Sequence, residues 1–365
     1  MANLPSIYLD YNATVPPRPE AVAIAHEHSA LPLNASSVHG LGRKAKHIIE
    51  DARGVIANAL SCFPGELIFT SSGTESNAMA LQSYSERRLL VCATEHPSAL
   101  KQRENATLLS VLSNGLLDIE AYEKLLIETG EGNALISVML ANNETGVIQP
   151  IADIAALAHK HGAIIHCDAM QAIGKIPVDM GMLGVDMLTL CAHKCGGIMG
   201  AAALVAREGV VPTPVMRGGG QELRRRAGTE NIPAIAAFAK AITLAQSDTW
   251  QPSLRSWLDA LEKACEAEGG LVLGKDAPRL PNTSNIMMPN KSAELQLIHY
   301  DLAGIAISAG SACSSGRVEA SHVARAMLGE KAEGLGNIIR ISGGWNTQQT
   351  DLEAAQKAWL SFAKR

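Results

Sequence analysis

The stretch Val185-Asp186-Met187-Leu188-Thr189-Leu190-Cys191-Ala192-His193-Lys194-Cys195-Gly196-Gly197 decides the fold. Its largely apolar first half reads as a strand that delivers Lys194 just past its carboxyl end. Burial there lowers an amine's pKa and frees a nucleophilic lone pair, which suits the lysine to hold an aldehyde as a Schiff base. Upstream, Ala163-Ile164-Ile165-His166-Cys167 reads as a second strand that ends in Asp168. A carboxylate in that place can keep a pyridine nitrogen protonated and so make the ring an electron sink.

Other strands surround this pair. Glu66 to Thr70, Leu89 to Ala93, Ala134 to Leu140 and Ala201 to Val205 carry the short apolar pattern. Helices are expected over Glu20 to Leu31, Ile151 to His161 and Asn231 to Gln246, with Gly162 as a C′ residue. Leu41, Ala45, Ile48, Ile49, Ala52, Val55, Ile56 and Leu60 follow helical spacing. Strands alternating with helices indicate an α/β sheet, mostly parallel, with ligands beyond the strands' carboxyl ends. His96, Asn143, Asp168 and Lys194 all follow strand ends and are expected to converge. Ser71 to Asn77 lies between a strand and a helix expected over Ala78 to Ser83. It offers an anion site at a helix N-terminus, or simply an ordinary helix cap.

Ser247 to Pro252 breaks the pattern, so a large domain is expected over 15–249. A smaller one takes 250–365 and is completed by an N-terminal strap, 1–14. In it, Ser253 to Ala267 is helical with Leu254, Trp257, Leu258 and Leu261 on one face. Ser284 to Met288, Ile305 to Ile307 and Asn337 to Ser342 are strands, and a last helix begins near Asp351. The run Ser308 to Gly316 is made of small residues around one thiol, Cys313, and composition predicts a mobile loop. Arg217 to Thr229 is basic and glycine-rich, readable as a solvated turn or as a phosphate or subunit contact.

The chain has 365 residues, 47% hydrophobic and 18% charged, which fits a globular enzyme of two domains. A net charge of −5 leaves no electrostatic footprint for nucleic acid or an anionic membrane. No apolar run reaches the roughly 18 residues that span a bilayer, and no signal peptide is visible, so a cytoplasmic location is expected. Seven scattered cysteines suggest reduced thiols. Cys191 and Cys195 lack a second pair at zinc spacing and read as packing residues.

Taken together, Thr74-Glu75-Ser76, Thr94-Glu95-His96, Asn142-Asn143-Glu144-Thr145-Gly146, Asp168-Ala169-Met170-Gln171, His193-Lys194, Arg226-Ala227-Gly228-Thr229 and Gly310-Ser311-Ala312-Cys313 resemble the cysteine desulfurases of the class-V aminotransferase family, NifS/IscS-like branch. The resemblance runs from Tyr8 to Gly343. It implies fold type I of the pyridoxal-phosphate-dependent transferases, aspartate-aminotransferase-like. Such a fold has a large domain around a mostly parallel seven-stranded sheet and a smaller α/β domain.

The implied cofactor is pyridoxal 5′-phosphate, carried by Lys194, which also moves the Cα proton. Asp168 pairs with the pyridine nitrogen and Gln171 with the ring phenolate oxygen. His96 stacks on the ring, and Asn143 lies beside ring and substrate. Gly73, Thr74, Cys191 and His193 hold the phosphate, with Thr229 reaching it from a partner subunit. Arg340 takes the substrate carboxylate in a bidentate pair, and Asn34 lines the substrate site. Cys313 is the nucleophile that takes sulfur from L-cysteine as a persulfide, leaving L-alanine. A homodimer and a sulfur-acceptor protein, such as a scaffold for iron–sulfur cluster biosynthesis, are the implied partners.

Cys191 stands where the family commonly has serine, and Ala35 where it has proline. Another enzyme of the same fold, such as a selenocysteine lyase or an aminotransferase, is the alternative. Transamination needs no thiol, which counts against the latter. His39, His159, His161 and His322 read as surface or capping residues.

Overall fold

The computed structural model describes residues 7–312 and 318–364. One sheet holds seven strands in the order Leu67–Thr70, Ala202–Ala206, Met187–Cys191, Ile164–Asp168, Ala134–Ser137, Arg88–Cys92 and Thr107–Leu109. The last five pair in parallel, and Ala202–Ala206 runs antiparallel to both its neighbours. The expected mostly parallel seven-stranded sheet is therefore present. Its central strands are buried along nearly their whole length, as a sheet covered on both faces requires.

Helix Gly40–Ala59 shows why the covering elements form. Ala45, Ile49, Ala52 and Ile56 recur at helical spacing and are all buried. His39 caps its start, Nδ1 accepting from Gly42 N at 3.3 Å. Helices Pro19–Ser29 and Gly40–Ala59 both pack on Ile232–Gln246, which lies against the sheet's central core.

A second core lies around four antiparallel strands in the order Ser308–Ala309, Ile338–Ser342, Thr283–Met287 and Leu271–Val272. Leu254, Leu258 and Leu261 of helix Gln251–Ala267 meet Leu352, Ala355 and Trp359 of helix Gln349–Ala363 over it. Each of these leucines contributes about 1.5–3 kcal/mol by leaving water. The N-terminal strand Ile7–Tyr8 runs parallel to Ile305–Ala306, and Leu9 joins the same core. Residues 10–14 then cross toward the large sheet.

Most boundaries agree with expectation to within two residues; three differences are larger, each for a local reason. The helix after Thr70 spans Gly73–Leu81 and not Ala78 to Ser83. Ser72 Oγ accepts from Glu75 N at 3.2 Å, so the small polar residues are its first turn. The strand Ala134–Ser137 ends before Leu140, although Leu140 N still donates to Asp168 O at 2.9 Å. The small-residue run begins as a strand, with Ser308 in register with Arg340. Among the described residues, no helix is long and apolar enough to cross a membrane.

Candidate active site

A cavity of about 450 Å³ opens where the parallel strands end, and Asp168 and Lys194 both line it. Neighbouring parallel strands put them there. Asp168 stands across from Thr189, and the strand Met187–Cys191 runs on into the short turn Ala192–Lys194. Gly73, Thr74, His96, Asn143, Gln171, His193 and Arg340 line the same cavity. The four residues expected to converge from strand ends do converge.

Asp168 is 4% exposed. Asn77 Nδ2 donates to its Oδ2 at 2.9 Å and Met170 N to its Oδ1 at 2.9 Å. Burial raises its pKa, while these two donors and Lys194 favour the ionised form. Glu95 lies fully buried nearby, with burial and then the charge of Asp168 pushing its pKa well up. Two carboxyl groups so placed cannot both ionise cheaply. Lys194 lowers the pKa of Asp168, whereas burial and the Asp168 charge push Glu95 further up, so the proton is favoured on Glu95.

Lys194 donates from Nζ to Ala13 O at 2.7 Å and to Asn12 O, both on the N-terminal strap. Burial lowers its pKa, assisted by the Arg340 charge and opposed by the carboxylates of Asp10 and Asp168. A larger neutral fraction of the amine is what a nucleophilic lysine requires.

The opposite end of the cavity suits an anion. Ser72, Gly73 and Thr74 open a nine-residue helix, whose first N–H groups have no acceptor within the helix. Gly73 lets the Met170 side chain lie against the helix start: a Cβ there would come within 2.1 Å of Met170 Sδ, and the methionine would have to shift. His193 lines the same cavity with its pKa lowered to about 4 by burial, and Nδ1 lies 3.3 Å from Thr14 Oγ1. His96 is likewise held neutral by burial, and Ser98 N donates to its Nδ1 at 3.1 Å.

Arg340 enters from the second core. Its Nη1 donates to Asn143 O at 2.9 Å and its Nη2 to Asp10 Oδ1 at 2.6 Å, and Nε is buried with no partner among the described residues. Gln171 is buried and donates from Nε2 to Asn12 O at 2.9 Å.

Several expected residues lie elsewhere. Cys191 is buried beneath the site and does not line the cavity. Burial pushes its thiol up to about 12, so it stays protonated. Thr229 and Asn34 are exposed and away from the cavity of this chain; Asn34 Oδ1 accepts from Ser36 N at 2.9 Å. Cys313, with the mobile-loop expectation, lies outside the described residues. Conversely, sequence reading missed Asn12, Glu144 and His322, which all line the cavity, and Lys175 just behind it. His322, read as a surface or capping residue, donates from Nε2 to Glu95 O at 2.8 Å. The one signal for it was its place shortly after the thiol-bearing run.

The donor set fits a phosphorylated pyridine aldehyde. A buried carboxylate with spare lone pairs, an amine of lowered pKa and a helix N-terminus share one cavity of suitable size. Arg340 lines the same cavity, and its planar guanidinium matches a substrate carboxylate.

Comparison with known proteins agrees with this geometry. The aminotransferase class-V family model matches residues 7–354. A cysteine desulfurase of Cereibacter sphaeroides is 39% identical over 343 residues, covering 88% of this chain and 86% of its own. A putative cysteine desulfurase, IscS 1, of Bacillus subtilis (strain 168) is 34% identical and covers 98% of this chain and 99% of its own. Among solved structures, a NifS-like protein from Rickettsia africae ESF-5 superposes with a TM-score of 0.91 at 35% identity, covering 98% of this chain and 99% of that one.

Proposed function

The chain belongs to the aminotransferase class-V family, and from that premise we propose that it is a cysteine desulfurase that uses pyridoxal 5′-phosphate. The observation that carries the reading is the meeting of Asp168, Lys194, His96 and Arg340 in one cavity. Bound there, pyridoxal phosphate supplies an electron sink for the pair of electrons left when the Cα proton departs.

The chain's own residues do the rest. Lys194 would hold the cofactor through its amine, and the same amine would take the Cα proton. Asp168 keeps a pyridine N–H in place, and Gln171 faces the ring oxygen. The helix start at Gly73 and Thr74, with His193, holds the phosphate; Cys191 lies behind them, and Thr229 reaches that end from a second copy. His96 stacks on the ring. Arg340 and Asn143 orient the amino acid, with Asn34 at the substrate approach. The Cys313 thiolate attacks the substrate sulfur; an S–S bond forms as the C–S bond breaks, and the three-carbon remainder takes up protons to become L-alanine.

The two cores correspond in this reading to a large domain, 15–249, and a small one, 250–365 with 1–14. The enzyme works as a cytoplasmic homodimer and passes sulfur to an acceptor protein, an iron–sulfur scaffold being the favoured kind. The test is direct. Protein loaded with pyridoxal phosphate should release alanine and sulfide from L-cysteine in the presence of a reducing thiol. Cys313→Ala should keep the cofactor's visible absorbance and lose sulfide. Continued sulfide release by that variant would end the desulfurase reading.

A further inference from the structure

Behind Lys194 lies a second buried lysine that the reaction scheme does not use. Lys175 is 5% exposed and reaches its place through a turn at Gly174, whose φ is +74°. Glycine is required there, since a Cβ would come within 2.9 Å of Cys195 Cβ. Burial pulls the pKa of Lys175 well down, with the Lys194 charge as the next cause. Its acceptors are two neutral amide oxygens: Gln171 Oε1 at 2.6 Å and Asn12 Oδ1 at 2.7 Å.

Those two bonds determine which way both amides face. With Oε1 turned to Lys175, Gln171 must direct Nε2 the other way, and it donates to Asn12 O at 2.9 Å. With Oδ1 taken by Lys175 and by Asn282 Nδ2 at 3.1 Å, Asn12 directs Nδ2 to Asn143 O at 3.1 Å and to Thr283 Oγ1 at 2.9 Å. Reversing Gln171 would set its oxygen against the Asn12 carbonyl, acceptor against acceptor. The carbonyl that receives Gln171 Nε2 also receives Lys194 Nζ. The amide and the reactive amine therefore share one acceptor, and Lys175 fixes that arrangement from behind.

We propose that Lys175 is a positioning residue of this site: its amine sets the amide of Gln171, and with it the donor that the cavity presents beside Lys194. The inference rests on the proposed function, in which Gln171 faces the ring oxygen of the cofactor. Lys175 itself touches neither cofactor nor substrate in this reading.

The test uses full-length protein, with pyridoxal phosphate as the ligand. Lys175→Met, Gln171→Leu and the double variant are compared by cofactor dissociation constant and by the pH midpoint of the cofactor's visible absorbance. Lys175→Met should weaken binding about tenfold, on the scale of one lost hydrogen bond, and should move the midpoint. Gln171→Leu should do the same. The double variant should be no worse than Gln171→Leu alone, because the two residues act as one unit.

Thermal unfolding of the cofactor-free proteins gives a second readout. Lys175→Met strands a buried oxygen on Gln171, and the double variant removes it, so part of the lost stability should return. Should Lys175→Met not fold, Lys175→Gln, a shorter donor, is read by the same measurements. An unmoved midpoint with unchanged affinity in Lys175→Met would overturn the proposal, as would losses that multiply in the double variant. Wild-type protein that takes up pyridoxal phosphate without a visible band would count against the proposed function and not against this inference.

Discussion

Asp10 and Arg340, 330 positions apart in the chain, meet through Arg340 Nη2 and Asp10 Oδ1 at 2.6 Å. Ser308 Oγ donates to the other carboxylate oxygen, Oδ2, at 2.9 Å. The arginine side chain is 6% exposed, so its charge depends on this partner. Removing one member of a buried pair costs about 3–5 kcal/mol, because the other is left uncompensated. Asp10→Ala should therefore lower the unfolding free energy by roughly 3 kcal/mol, at the low end because Asp10 is the more exposed partner and water can enter the space it leaves beside Arg340. Urea unfolding of the cofactor-free protein measures it, and a loss below about 1 kcal/mol would mean the pair is a surface contact in energetic terms.

Arg340→Lys separates charge from shape. A lysine keeps the positive charge but loses the planar fork that matches a carboxylate. KM for L-cysteine should rise about tenfold or more, with kcat falling less. An unchanged KM with a reduced kcat would remove Arg340 from substrate binding.

His166 gives a pH signature. It is fully buried between Ser137 Oγ at 3.1 Å and Thr189 Oγ1 at 2.9 Å, and burial lowers its pKa to about 3. In the unfolded chain it takes up a proton near its ordinary pKa of about 6.5. The unfolded state thus binds more protons between those values, and stability must fall as pH drops through that window. Glu95 and Asp168, whose pKa values burial raises, act in the opposite sense and partly mask the effect. Comparison with His166→Gln isolates it. Between pH 6 and 4 the wild type should lose up to about 1.4 kcal/mol per pH unit more than the variant. A constant difference across that range would show that the imidazole accepts its proton in the fold.

Cys191→Ser tests the residue that departs from the family pattern. The thiol is buried and held protonated, and sulfur is a weak hydrogen-bond donor. Cys191 does not line the cavity, and only the family pattern brings position 191 to the phosphate; on that pattern a serine hydroxyl should tighten pyridoxal phosphate binding by about 1 kcal/mol, the worth of one neutral hydrogen bond. Equal or weaker affinity in the variant would mean that Cys191 is a packing residue only.

His322 links the cavity wall to the backbone just before His96, through its bond to Glu95 O. His322→Leu should lower kcat/KM about tenfold by releasing that carbonyl, and His322→Asn, which can still donate, should recover part of the loss. Wild-type kcat/KM in His322→Leu would show that the imidazole lines the cavity without shaping it.

The helical spacing from Leu41 to Leu60, the apolar strands ending at Asp168 and Lys194, and the family motifs were legible in the chain because each is a local pattern, set by which face of one element is buried. Local reading stopped where bonding partners are distant. Lys175 meets Asn12 across 163 positions, and neither residue carries a periodic signal. The helix start at Gly73 was likewise misplaced, since small polar residues serve a loop or a first helical turn equally well, and Ser72 decides the matter by capping Glu75. The fold class and the pairing of Asp168 with Lys194 at neighbouring strand ends follow from the chain read locally. Folding adds the strap from Asp10 to Thr14 against the reactive lysine, the sharing of Arg340 with Asp10, and a second amine behind Gln171. Buried polar groups must find partners wherever packing brings them, and packing is a property of the whole chain.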